Sequence, residues 1–226
     1  MVVIDVLNDA AGRELLLNKY GLRRVPVLAK GDQYAIGQMI EPFAKLAGIA
    51  LDANDRLTPA QLYAKYGLIF AAAQRYTRQF SREQLQERVI PNRPRIVRTL
   101  CYHVFRIGEA FLEAWDGAEY SQGIADGDPA DTLVDGEAIA RYGAGVWSRY
   151  EAWWRGLADA DKALTRVLKT YYGDTSAHRV FERCTWHSGQ HCRQLVAVQE
   201  RMGIRPDRPL TADDLAGLPL PARLWE

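Results

Sequence analysis

The spacing of apolar positions changes after the first fifty residues, and the change predicts two kinds of architecture. The first stretch is built from short segments. Val2 to Val6 reads as a β-branched strand, and Ala10 to Tyr20 has helical spacing at Leu15, Leu16, Leu17 and Tyr20 and stops at Gly21. A second apolar run covers Val25 to Ala29. A Gly-Asp turn at Gly31 and Asp32, a strand from Gln33 to Ile36 and a helix from Gln38 to Leu46 then complete a β-α-β-β-α order.

Beyond Leu57 the period becomes helical and strand signals vanish. Thr58 and Pro59 supply an N-cap and a first-turn proline for a helix through Tyr63, Tyr66, Ile69, Phe70 and Tyr76 to Gln79, which Ser81 to Gln84 extend or restart. Pro91 to Pro94 break the chain, Ile96 to Trp115 carries a strong apolar stripe, and Gly117 to Asp135 is a loop rich in Gly and Asp. A third helix is expected from Gly136 to Leu157, with Trp147, Tyr150, Trp153 and Trp154. A shorter one should follow from Asp159 to Tyr171, and the longest from Ser176 to Met202, closed by Gly203. The pattern predicts a mainly α fold: a bundle of four long helices over residues 51–226, preceded by a small module over residues 1–50. The tail from Leu210 to Glu226 should lie on the bundle, with nothing in it that points to chemistry.

At 226 residues, 48% hydrophobic and 25% charged, the chain can bury a sizeable core. With 29 Lys plus Arg against 28 Asp plus Glu, its net charge of +1 gives no global field to attract nucleic acid or an anionic membrane. No window reaches the roughly 20 apolar residues that span a bilayer, and the opening MVVIDV lacks a signal pattern. Three cysteines, Cys101, Cys184 and Cys192, form no CxxC pair, which fits a reducing compartment. We therefore expect a cytoplasmic protein with neither nucleic-acid nor membrane partners.

Four histidines occur in all, and two of them, His187 and His191, lie in CTWHSGQHCRQL, four residues apart. On a helix, where each residue advances about 100°, both imidazoles share a face and can reach one ion. A catalytic divalent site asks for a third ligand and keeps a position open. His103, mid-helix among Leu100, Val104, Ile107 and Phe111, is the candidate, because an unpaired ring would be costly to bury there. His178 falls on the opposite side of the last helix and is left out. A zincin would carry Glu directly after the first histidine, where this chain has Ser188. Cys184 offers either a fourth ligand or, the reading preferred here, a buried structural thiol; Cys101 and Cys192 are packing residues. Arg106 and Arg183 lie one turn from His103 and His187, so either could hold a substrate carboxylate, the alternative being ordinary surface arginines. Tyr63, Tyr66, Arg75 and Tyr76 are read as core and rim rather than cavity lining.

His103 in the second helix, with His187, His191 and the following Arg193, Gln194 and Leu195 in the last, resembles the DinB superfamily of four-helix-bundle metalloproteins. These include bacillithiol transferases and thiol-dependent maleylpyruvate isomerases. The resemblance covers residues 57–202 and maps the family's three metal ligands onto His103, His187 and His191. It implies a divalent ion (zinc, alternatively nickel, iron or cobalt) that coordinates a low-molecular-weight thiol as thiolate. Members are often dimers. The related iron-dependent sulfoxide synthases have a carboxylate where this chain has Arg193. The first module, with Val25-Pro26 ahead of a strand and a Gly-Asp turn behind it, resembles the C-terminal two-thirds of a glutaredoxin. In that family the proline is cis and the residue before it offers backbone groups to a thiol such as glutathione. The first strand and the CxxC helix are missing, so disulfide exchange is not implied.

Together these expectations describe a metal-dependent, glutathione-like thiol S-transferase or thiol-assisted isomerase acting on small electrophiles. The alternatives are a hydrolase using metal-activated water, with Glu109 or Glu182 as base, and a non-catalytic metal-containing stress-response binding protein.

Overall fold

The computed structural model describes residues 2–6, 8–23, 25–37, 39–50, 56–89, 94–121, 123 and 127–225. Most of the expected chain break at Pro91 to Pro94 and part of the Gly117–Asp135 loop lie outside them. The chain divides into two compact units, Met1–Asn54 and Asp55–Glu226.

In the first unit, helix α1 (Ala10–Tyr20) starts where the Asp9 carboxylate accepts the Gly12 N–H at 2.9 Å, and stops at Gly21 in the left-handed region. Strands β1 (Val27–Lys30) and β2 (Gln33–Ile36) form an antiparallel hairpin in which Val27 faces Ile36 and Lys30 faces Gln33. Gly31 takes the positive φ that this turn requires. Helix α2 (Ile40–Ala47) follows. The Val25-Pro26 peptide is cis, and the Pro26 carbonyl accepts the Gly37 N–H at 2.8 Å. The expected strand at Val2 to Val6 does not form. Val2 and Val3 are 86% and 84% exposed, and no strand among the described residues pairs with them, so the order there is α-β-β-α.

The second unit is mainly helical. Helix α3 (Pro59–Arg78) opens on a capping box in which Thr58 Oγ1 accepts the Gln61 N–H while Gln61 Oε1 accepts the Thr58 N–H at 2.8 Å. A one-turn helix α4 (Arg82–Leu85) repeats the device from Ser81. Helix α5 (Val97–Trp115) has an apolar stripe that is fully buried at Leu100, Val104, Ile107 and Phe111. Helix α6 (Gly136–Gly156) is capped by Asp135, and helix α7 (Ala177–Arg201) by Ser176. Helices α6 and α7 each pack against both α3 and α5. The core between them is aromatic: Tyr66, Phe70, Phe105, Phe111, Tyr150 and Phe181 are fully buried. Their rings meet mostly edge to face, as with Tyr66 and Phe70 at 4.8 Å, the arrangement that aromatic quadrupoles favour.

Asp159 to Tyr171 is not the expected helix. A single 3₁₀ turn (Asp161–Ala163) ends at Leu164 with φ 51°, and strands β3 (Val167–Leu168) and β4 (Thr175–Ser176) pair in a short hairpin. The reason lies in backbone hydrogen bonding. The first N–H groups of α7 have no partner within their own helix, and the Leu164 and Arg166 carbonyls take them from His178 and Ala177 at 2.9 and 2.7 Å. The Lys169 carbonyl is likewise taken by the Tyr120 N–H at 2.9 Å, so the segment's acceptors serve neighbours instead of a helix of its own.

The tail lies along α3 and α7. A short helix α8 (Ala212–Leu215) accepts Lys65 Nζ at the carbonyls of Asp213 and Asp214, and the Leu210 N–H donates to Tyr76 Oη at 2.8 Å.

One buried chain of hydroxyls fixes the helix register. Ser188 Oγ on α7 donates to the Val104 carbonyl of α5 at 2.9 Å, which leaves its lone pairs to accept Tyr66 Oη–H from α3 at 3.2 Å. Ser188→Ala leaves the Tyr66 hydroxyl buried without its acceptor, a loss of about 1–3 kcal/mol. Thermal unfolding of the metal-free protein should show a lower Tm, by about 2–4 °C per kcal/mol for a chain of this size. Adding Tyr66→Phe should recover part of the loss, because removing both partners is less costly than orphaning one. A double variant less stable than Ser188→Ala would refute this account.

Candidate metal centre

His187 and His191 stand one turn apart on α7, and His103 faces them from α5. Their candidate ligand nitrogens all lie within 4.8 Å of one another. Ring centroids are 5.5 Å apart for His103–His187, 4.9 Å for His103–His191 and 4.7 Å for His187–His191. His103 and His191 are buried at 3% and 6% exposure, whereas His187 is half-buried, so the cluster has one side nearer solvent. The register explains why the rings meet. Val104 and Ser188, the residues hydrogen-bonded across the helix pair, immediately follow His103 and His187.

The tautomer of His191 can be read from its neighbour. Gln194 Nε2 donates to the Leu224 carbonyl at 2.9 Å, which turns Gln194 Oε1 toward His191 Nδ1 at 2.7 Å. An amide oxygen only accepts, so Nδ1 carries a proton, and in the neutral ring Nε2 is then the nitrogen with the lone pair, the tautomer a ligating histidine needs. Gln190 Nε2 donates to the carbonyls of Arg223 and Leu224 at 3.2 and 2.8 Å, and Arg193 Nη1 to Pro221 O at 2.9 Å. The tail is therefore tied to the outer side of the ligand helix. Sequence reasoning gave Gln194 no role and the tail no chemistry. The signal for Gln194 was its i+3 spacing from His191; nothing in the sequence shows that Leu224 returns to it.

His187 is held well below the usual imidazole range. Burial is the main cause, followed by the fields of His191, His103, Arg183 and Arg95. It is neutral at pH 7, as metal binding requires. Three imidazoles, two of them buried, form a donor set that fits zinc, nickel, iron or cobalt without selecting among them.

The other residues singled out from the sequence fall in different places. Arg106 is held by two carboxylates, with Nη1 and Nη2 on Glu113 at 2.9 and 2.8 Å and Nη1 on Glu109 at 3.0 Å, so it is part of a structural ion network. Glu109 also receives Arg149 at 2.8 Å and the Tyr142 hydroxyl at 2.6 Å. Glu182 is paired with Arg179 at 3.0 Å. Its carboxyl is raised by burial and lowered by the fields of His178 and Arg56, not by the His103 cluster. Arg183 is half-buried on the same face as His187, with its guanidinium 5.4 Å from the Tyr172 ring and 5.7 Å from the Trp186 ring. Val25 and Pro26 belong to the first unit. Cys184 is buried, donates to Tyr120 Oη at 3.6 Å and has its thiol pushed up to about 12 by burial. That is an inert thiol, not a ligand. Burial likewise pushes Cys101 up to about 12. His178 Nε2 meets the Leu57 carbonyl at 2.9 Å, away from the cluster. Tyr66 and Tyr76 are fully buried and Arg75 donates to the tail carbonyls of Asp207 and Arg208, so all three are packing residues.

Comparison of the chain with protein-family models, curated proteins and solved structures gives no match. Among the described residues, no helix is long and apolar enough to cross a membrane.

Two outcomes follow from this geometry. Gln194→Leu should weaken divalent metal binding about 10- to 100-fold, as loss of an outer-shell partner does, with apo-protein Tm changed little. Competition with a chromophoric chelator measures it, and unchanged affinity would remove Gln194 from the site. In the metal-free protein, the unfolded His187 takes up a proton near pH 6.5 while the folded one resists it. The unfolded state then binds more protons, so the stability that His187 contributes above that pH is lost as pH falls. Urea unfolding from pH 8 to 5.5 should show this slope, reduced in His187→Asn.

Proposed function

We propose that the chain is a DinB-like four-helix-bundle metalloprotein, acting as a metal-dependent thiol S-transferase or thiol-assisted isomerase on small electrophiles. The partial glutaredoxin-like unit, taken by itself, offers the backbone around Val25 and Pro26 to a thiol such as glutathione. The observation that carries the proposal is the convergence of His103, His187 and His191, with one side nearer solvent. A divalent ion held by His103, His187 and His191 would supply Lewis acidity, which would favour the thiolate form of a bound thiol at neutral pH.

The chain's own groups divide the remaining work. Gln194 holds His191 in the ligating tautomer. Burial and neighbouring positive charge keep His187 neutral. Trp186, stacked on His187 at 5.5 Å, forms an apolar wall beside the cluster. Hydrolysis is less well supported, because both carboxylates considered as a base are held elsewhere, Glu109 by Arg106 and Arg149 and Glu182 by Arg179.

Metal analysis of untagged protein should find about one equivalent of divalent metal per chain, lost in His103→Ala, His187→Ala and His191→Ala. Loaded wild-type protein should conjugate glutathione to 1-chloro-2,4-dinitrobenzene and the three variants should not. Metal retained by His103→Ala would refute the two-helix site. Ester hydrolysis without thiol would favour the hydrolase reading, and metal without any turnover a binding protein.

A further inference from the structure

Arginines near the cluster differ in one respect. Arg106 is neutralised by Glu109 and Glu113, while Arg183 has no carboxylate partner among the described residues. Its hydrogen bond goes to the Tyr171 hydroxyl at 3.2 Å, and its Nε is buried and makes no hydrogen bond. Keeping a half-buried guanidinium without a counter-charge is unfavourable unless a ligand supplies one. The surroundings hold it in place. Its Cζ lies 5.4 Å from the Tyr172 ring and 5.7 Å from the Trp186 ring, and Tyr171 and Tyr172 come from the β3–β4 hairpin. Tyr120 stacks on Tyr171 at 6.4 Å and locks it through two backbone hydrogen bonds, to Lys169 O at 2.9 Å and from Tyr171 N at 3.0 Å. Arg183 is one turn before His187, and the arginines with the largest effect on His187 are Arg183 and Arg95.

We infer that Arg183, framed by Tyr171, Tyr172 and Trp186, is a carboxylate-binding subsite beside the histidine cluster, so that the molecule reaching the ion is a small carboxylate. This rests on the metal-site reading for its position, and on Arg183 itself for its chemistry. The guanidinium fork can take a carboxylate through two N–H groups, which a lysine ammonium cannot reproduce. The carboxylate could belong to the electrophile or to the thiol, since glutathione carries two of its own, and the chemistry at Arg183 is the same in both cases.

The test uses the full chain loaded with Co²⁺, whose visible absorption reports coordination, titrated with propionate and with neutral propionamide. Propionate should bind and propionamide should not. Arg183→Gln should weaken propionate about 10- to 100-fold, with Arg183→Lys intermediate, and the Co²⁺ content of both variants should match wild type. Equal propionate affinity in wild type and Arg183→Gln, or propionamide binding as well as propionate, would overturn the inference. If Co²⁺ does not bind, the histidine reading fails. Calorimetry of propionate on the metal-free wild type and Arg183→Gln then still decides the subsite.

Paired ligands identify the source. Weakening of glutathione but not 2-mercaptoethanol by Arg183→Gln places the carboxylate on the thiol. Weakening of 4-chloro-3-nitrobenzoate but not 1-chloro-2,4-dinitrobenzene places it on the electrophile. No difference in either pair would refute the subsite.

Discussion

The buried hydrogen bond from Ser188 to the Val104 carbonyl is the constraint on which the site depends. Aromatic side chains fill the space between α3, α5, α6 and α7, but apolar contact is non-directional and tolerates sliding of one helix along another. A buried hydroxyl does not. It must find its acceptor or lose the hydrogen bond, and displacement by one helical turn would orphan both Ser188 and the Tyr66 hydroxyl. Because each partner is adjacent to a histidine, the register that satisfies the hydroxyls also brings His103 to His187 and His191.

Charge distribution gives the site its chemical bias. Carboxylates occur near it in sequence, at Glu109, Glu113 and Glu182, yet each is paired with an arginine of its own helix. The arginines with the largest effect on His187 are Arg183 and Arg95. Such surroundings favour neutral histidines over protonated ones, and with a divalent ion they favour anionic ligands over neutral ones. A thiolate and a carboxylate both meet that requirement, whereas general-base hydrolysis needs a carboxylate or a further histidine that the cluster lacks among the described residues.

The tail changes the picture of how the ligand set is held. Pro221, Arg223 and Leu224 receive hydrogen bonds from Arg193, Gln190 and Gln194, all on the ligand helix. Backbone carbonyls of the tail thus orient the amide that orients His191. The tail thus acts on the candidate metal site through the direction of its backbone hydrogen bonds.

Much of the second unit follows from local rules. The N-caps at Thr58, Asp135 and Ser176, the long apolar stripes and the i, i+4 pair of His187 and His191 are all contained in short windows, because helix geometry is set by neighbours within one or two turns. In the same way the sequence by itself determined the hairpin turn at Gly31 and the helix stops at Gly21 and Gly48. Where a backbone group finds its partner far along the chain, the local signal misleads. Val2 to Val6 has strand composition but no neighbour to pair with among the described residues, and Asp159 to Tyr171 has helical spacing but gives its carbonyls to the start of α7 and to Tyr120. Side-chain partnership was equally out of reach of local reading: Arg106 and Arg183 look alike one turn from their histidines. Only tertiary structure decided that Glu109 and Glu113 neutralise the first while a tyrosine hairpin frames the second, because electrostatic pairing depends on distance in space rather than separation along the chain.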